Sequence, residues 1–168
     1  TLKHVPGKRK APRQPHQEIS DITAERDVLE QEDLAPFRNL INEFDIQPPL
    51  IMASHLRYPA YDAENPACVS EVLLKGVLRK QLGFEGLVVT DDLEMGAMTS
   101  LYSFHDMGVM AVAAGADALL VCHNAESQKQ VYAGILEAVQ EGRLPADRLD
   151  EAVRRVLRTK LSLPPMQE

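Results

Sequence analysis

Gly86-Leu87-Val88-Val89-Thr90-Asp91-Asp92-Leu93-Glu94-Met95 is the stretch on which the fold turns. A glycine opens it, an almost unbroken apolar run follows, and two consecutive acids close it. A run this short predicts a strand buried on both faces, as in a parallel sheet. Outward on both sides the figure recurs. Pro48-Pro49 leads into Leu50-Ile51-Met52-Ala53, which stops at Ser54-His55, and Ala116-Asp117-Ala118-Leu119-Leu120-Val121 stops at Cys122-His123-Asn124.

Helical periods lie between the runs. Residues 24–44 place Val28, Leu29, Leu34, Phe37, Leu40, Ile41 and Phe44 near helical spacing, with a kink or two helices expected at Pro36. Ser70 is a candidate N-cap for 71–82, with Gly83 as the stop. Ser127 is expected to cap 128–141, ended by Gly142, and Asp147 to cap 148–161. Strands alternating with helices define an α/β chain. Polar residues follow each strand, and in parallel α/β sheets chemistry gathers at the carboxyl ends of the strands.

Composition narrows the class. The 168 residues suit one domain, and 45% apolar with 26% charged residues is globular rather than disordered material. No run of 18 apolar residues exists, so no membrane span is expected. No basic segment leads into an apolar stretch as in a signal peptide, so a cytoplasmic location is expected. The net charge is −7, yet residues 1–16 hold Lys3, Lys8, Arg9, Lys10 and Arg13 and no acid. The acidic body argues against nucleic acid as partner. The basic head is either a solvated loop or a holder of phosphate or carboxylate. Cys68 and Cys122 form no disulfide framework or metal-ligand spacing, and Cys122, inside an apolar run, is expected to be buried and inert.

Asp91, Asp92 and Glu94 put three carboxylates directly after a buried strand. A carboxylate there can serve as nucleophile, base or metal ligand. Asp91 is expected to point into the site, and Asp92 and Glu94 to cap or bind backbone N–H groups. No second ligand cluster at a recognisable spacing supports a metal, and no cofactor is expected. His16 lies in a loop rich in Pro, Arg and Gln, where a histidine can move and transfer protons near neutral pH.

Four runs together resemble glycoside hydrolase family 3: Lys3-His4-Val5-Pro6-Gly7, Asp33-Leu34-Ala35-Pro36-Phe37-Arg38, Met52-Ala53-Ser54-His55-Leu56-Arg57-Tyr58-Pro59-Ala60, and Gly83 to Ala97 through Thr90-Asp91-Asp92. The closing Arg148-Leu149-Asp150-Glu151-Ala152-Val153-Arg154-Arg155-Val156-Leu157 fits as well. Within the family the likeness is to the bacterial β-N-acetylhexosaminidases that remove terminal N-acetylglucosamine during peptidoglycan recycling. The resemblance implies a retaining reaction with Asp91 as nucleophile, Lys3 and His4 binding sugar hydroxyls, and His16 as general acid/base. It also implies a parallel (β/α)8 TIM barrel, of which residues 1–168 supply one partial catalytic domain, the C-terminal half with strands five to eight. A half barrel leaves sheet edges open, so the chain is expected to need an N-terminal half or self-association.

The sequence departs from the family pattern at the acid/base loop. Gln14 stands where the family has the Asp partner of the histidine, Pro15 where it usually has Ser, and Gly7 continues into Lys8-Arg9. A neutral amide stabilises an imidazolium less than a carboxylate does. Two other readings therefore stand beside the hexosaminidase. One is a degenerate sugar-binding member that transfers protons poorly. The other is a β-glucosidase-type enzyme, a branch that often draws its acid/base from a second domain.

Overall fold

The structure, a computed structural model, describes residues 1–8, 19–42 and 48–163. Four strands, β1 (Leu2–Val5), β2 (Leu50–Ala53), β5 (Leu87–Asp92) and β6 (Ala118–Leu120), form one sheet in the order β1-β2-β5-β6. All neighbours run parallel, with Leu50 opposite Leu87 and Ala53 opposite Thr90 in the central pair. Sheet order follows chain order, so each strand returns beside its predecessor through a helical crossover, as in successive βα units of a barrel. The three apolar runs are thus strands, the last limited to Ala118–Leu120. β1 has no long apolar run of its own and shows no comparable signal in the hydropathy pattern.

The first crossover is a short helix α1 (Arg26–Val28), a π-helical turn Leu29–Asp33, and α2 (Ala35–Asn42). The break falls just before Pro36, which sits in the first turn of α2, where a missing N–H costs nothing. Phe44, expected at the end of this segment, lies outside the described residues. The second crossover begins with an antiparallel hairpin, β3 (Arg57–Tyr58) with β4 (Asp62–Pro66), which the sequence pattern does not reveal. A 3-10 turn (Ala67–Val69) and a π-helix (Val72–Gln81) follow. Ser70 caps this helix as expected, its Oγ accepting from Leu73 N–H at 3.3 Å, and Gly83 ends it at φ +69°.

The third crossover carries α3 (Gly96–Thr99) and α4 (Phe104–Ala114). Ser103 caps α4, accepting from Asp106 N–H at 3.1 Å. The run in α4 is so uniformly apolar and small that no stripe betrays it. α5 (Ala125–Gln140) packs on α4. Contact is closest at Gly134, where a Cβ would collide with the His105 carbonyl. Two expected caps are corrected. Asn124, not Ser127, caps α5, accepting from Glu126 N–H at 2.8 Å. α6 (Ala146–Ser162) starts after Pro145, so Asp147 lies within its first turn. Proline there fixes φ for helix entry, and the acid inside the turn complements the helix dipole.

Ile51, Val88, Leu74, Leu78, Phe84 and Tyr58 are buried in the core between sheet and helices. Each such side chain contributes about 2 kcal/mol of transfer free energy. At the N-terminal end of β6, Asp117 has a fully buried carboxylate. Its Oδ2 accepts from Arg79 at 2.6 Å and Val88 N–H at 3.0 Å, and its Oδ1 from Arg148 and Arg155 at 3.1 Å. The residue joins the π-helix, β5, β6 and α6 at the end of the sheet opposite the candidate site.

Among the described residues, β1 pairs only with β2 and β6 only with β5 in the sheet. On α6, Ala152 is buried while Val153, Leu157 and Leu161 are exposed. No helix is long and apolar enough to cross a membrane among the described residues.

Candidate active site

The carboxyl ends of the four parallel strands bring His4, Ser54, His55, Asp91, Asp92 and His123 to one edge. The parallel pairing causes this: residues just past Ala53 and Thr90, opposite each other in register, must emerge side by side. Tyr58 Oη donates to the Gly7 carbonyl, and Ser54 N–H donates to Val5 O at 3.0 Å, so the turn after β1 is fixed from β2 and β3. Glycine is required at position 7, because a Cβ there would run into the Asp33 carboxylate.

Asp91 is the focus of charge. Its Oδ2 lies 3.3 Å from His4 Nε2 and 3.6 Å from Lys8 Nζ. Its Oδ1 accepts from Asp92 N–H at 3.0 Å. Partial burial pushes the carboxyl pKa up, but the His4 hydrogen bond, the Asp92 N–H and the neighbouring His55 and His4 rings outweigh it and hold it well below the usual range. The group is therefore an ionised carboxylate at neutral pH, with 17% of its side chain still open to solvent for a reacting atom.

Asp92 and Glu94 are structural, as the sequence reading expects. Asp92 Oδ1 accepts from Glu94 N–H at 3.2 Å and Cys122 N–H at 3.3 Å, while Oδ2 lies 3.1 Å from His123 Nε2. Glu94 accepts from His123 N–H at 2.5 Å and Asn124 N–H at 3.0 Å. Together they tie the loop after β5 to the loop after β6. Cys122 is exposed, contrary to expectation, because β6 ends at Leu120 and the chain has left the sheet by position 122.

His55 is almost fully buried, with Nε2 2.8 Å from the Asp92 carbonyl and Nδ1 3.1 Å from Cys68 Sγ. Burial lowers its pKa, with the backbone bond and nearby Asp91 opposing. Lys3 lines a cavity of about 200 Å³ with His4, Gly7, Lys8, Glu32 and Asp33 beside the strand ends. A larger cleft of about 420 Å³ lies between Pro48, Gly86 and Leu163, at the N-terminal ends of β2 and β5, away from the carboxylate. Among the described residues no group of three or more His, Cys, Asp and Glu is placed to hold a metal ion.

The structure thus brings Lys3, His4 and Asp91 to one edge. His16 and its neighbour Gln14 lie outside the described residues. Two site residues are not singled out by the sequence. Lys8 carries a signal, since the basic head is a potential carboxylate holder and Asp91 is the carboxylate it meets. Cys68 carries none, because a single buried thiol looks like any small apolar residue.

A parallel α/β sheet that gathers a carboxylate and basic side chains at the carboxyl ends of its strands presents the edge at which α/β folds place their sites. The chain belongs to glycosyl hydrolase family 3: residues 1–159 match the model of the family's N terminal domain. A glycoside hydrolase family 3 beta-N-acetylglucosaminidase from Paenibacillus sp. str. FPU-7 superposes with a TM-score of 0.90 at 34% identity, over 99% of this chain and 32% of that one. A beta-hexosaminidase of Nitrosospira multiformis is 37% identical over 131 residues, 78% of this chain and 36% of the relative. Beta-hexosaminidase A of Pseudoalteromonas piscicida is 28% identical over 180 residues, 97% of this chain and 30% of the relative. The chain therefore spans about a third of the length of these relatives.

Proposed function

We propose that this chain carries the nucleophile side of a retaining glycosidase that releases terminal β-linked N-acetylglucosamine. The observation that supports it most is Asp91, an ionised carboxylate with one oxygen held by backbone and the other beside His4 and Lys8. The names of the relatives support the choice of sugar. In this reading Asp91 attacks the anomeric carbon, the bond to the leaving oxygen breaks, and a covalent glycosyl-enzyme forms. Water then displaces Asp91, so two inversions restore the starting configuration. Lys3 and His4 bind sugar hydroxyls, and His4 also orients the nucleophile.

His16 gives the proton to the leaving oxygen and later takes one from water. Gln14 limits that step, since no negative charge stabilises the protonated ring. In a complete barrel, Gln14→Asp is expected to raise turnover by roughly one to three decades. Steady-state rates on a natural disaccharide check this, and an unchanged rate would favour the degenerate sugar-binding reading.

The chain is read as the C-terminal half of the barrel. Among the described residues the outer edges of β1 and β6 are unpaired, and this, the exposed stripe of α6 and the chain's share of its relatives' length support the reading. Its partner is then an N-terminal half-barrel or a second copy. The 168-residue chain alone is expected to self-associate or lose fixed packing. Light scattering that shows a monodisperse monomer with a cooperative melt would contradict this. A role in peptidoglycan recycling and a cytoplasmic location complete the proposal.

The activity is tested by hydrolysis of nitrophenyl N-acetyl-β-glucosaminide against the matching β-glucoside. The expected result is preference for the N-acetyl sugar, with the β-anomer as first product by NMR. Preference for the glucoside would favour the β-glucosidase-type alternative.

A further inference from the structure

We propose that His55 is a positioning residue for this reaction: the Cys68 thiol holds its ring in the Nε2–H tautomer, and that N–H anchors the residue-92 backbone that binds the Asp91 carboxylate. The inference rests on the glycosidase reading above and extends it to groups that touch no substrate. Three hydrogen bonds carry it, and each donor can be assigned. The Asp92 carbonyl only accepts, so His55 Nε2, 2.8 Å away, must bear the proton. The Nδ1 of a neutral ring in that tautomer is then a lone pair, and Cys68 Sγ at 3.1 Å donates to it. Asp92 N–H in turn donates to Asp91 Oδ1 at 3.0 Å.

The surroundings keep this order fixed. Cys68 is fully buried, and burial pushes its thiol pKa far up, so the S–H is retained. Its other sulfur neighbour, Met98 Sδ, is 3.8 Å away and offers only a weak acceptor. The charged groups acting on the ring are Asp91 and Asp92, which favour a proton, and Lys8, which opposes it; burial is the largest influence and lowers the ring's pKa.

The experiment reads kinetics and tautomer together on the complete barrel, as wild type and as four variants. His55→Leu, which removes the donor, is expected to lower kcat about 10²-fold with KM changed less than about threefold, the scale of a slightly misplaced reacting group. His55→Gln, which returns an amide N–H near the Nε2 position, recovers most of that loss. Cys68→Ala lowers kcat less, and Cys68→Ser, which keeps an O–H donor, restores it. Nitrogen-15 NMR of the wild-type protein shows the Nε2–H tautomer unchanged through the range near pH 6.5 where a free histidine titrates. An Nδ1–H tautomer, a titrating ring, a loss confined to KM, or a His55→Gln variant no better than His55→Leu would overturn the role. If His55→Leu fails to fold, the glutamine and serine variants and the NMR still decide. Absence of wild-type turnover on any N-acetylglucosaminide would instead overturn the glycosidase reading itself.

Discussion

In a complete barrel, Asp91→Asn is expected to abolish hydrolysis while leaving the fold in place. An amide cannot attack the anomeric carbon as a carboxylate does, so the covalent step is lost. The fall in kcat is about 10⁵-fold, by analogy with the removal of other enzymatic nucleophiles. Steady-state rates on a nitrophenyl glycoside with circular dichroism of both proteins check it, and a loss of less than tenfold would contradict it. A pH signature accompanies the rate. The folded pKa of Asp91 is depressed, so its interactions stabilise the fold above the unfolded value near 3.9 and are lost as pH falls through the lower folded value. Wild type is therefore expected to melt above Asp91→Asn at pH 7, with the gap closing in acid. Since Asp91 stays ionised between pH 5 and 8, the limbs of the pH–rate profile in that range belong to other groups.

The largest effect on stability is expected at Asp117. Arg79, Arg148 and Arg155 converge on its fully buried carboxylate, and Glu151 pairs with the last two. Asp117→Asn keeps the shape and removes the charge, leaving the three guanidinium groups with Glu151 as counter-charge. Breaking one side of a buried ion pair costs roughly 3–5 kcal/mol. In a complete barrel of typically about 250 residues that is a fall in Tm of roughly 6–20 °C. Because Asp117 lies at the opposite end of the sheet from Asp91, kcat below the new Tm is expected to stay within about twofold. A Tm shift under about 2 °C, or a large kcat loss in the folded variant, would contradict this assignment.

Much of the fold is legible in the chain because strands buried on both faces must be apolar throughout. Leu50–Ala53 and Leu87–Thr90 announce themselves, and their polar ends mark the site edge. Ser70 and Gly83 are legible for the same local reason, a side-chain oxygen and a left-handed turn. β1 is hidden because Lys3 and His4 interrupt its apolar pattern, the two residues that the proposed function assigns to sugar binding. The caps of α5 and α6 are misread because several small polar residues precede each apolar stripe, and tertiary contacts choose among them. Ser127, the rejected cap of α5, is instead buried in its first turn. Cys122 is misplaced because an apolar run outlasts the strand that contains it. Asp91 stands out in the sequence, but its companions do not: the sharing of one carboxylate oxygen by His4 and Lys8 depends on a turn that Tyr58 and Asp33 shape from other segments.

Trapping the covalent intermediate tests the central claim most directly. The complete barrel is incubated with a fluorinated N-acetylglucosaminyl fluoride, which forms the glycosyl-enzyme faster than water removes it, and is then digested for mass spectrometry. The account requires one added sugar, on the peptide containing Thr90-Asp91-Asp92 and on Asp91 within it, and no label in Asp91→Asn. A sugar on Asp92 or Glu94, or turnover of the substrate with no covalent adduct at all, would contradict it.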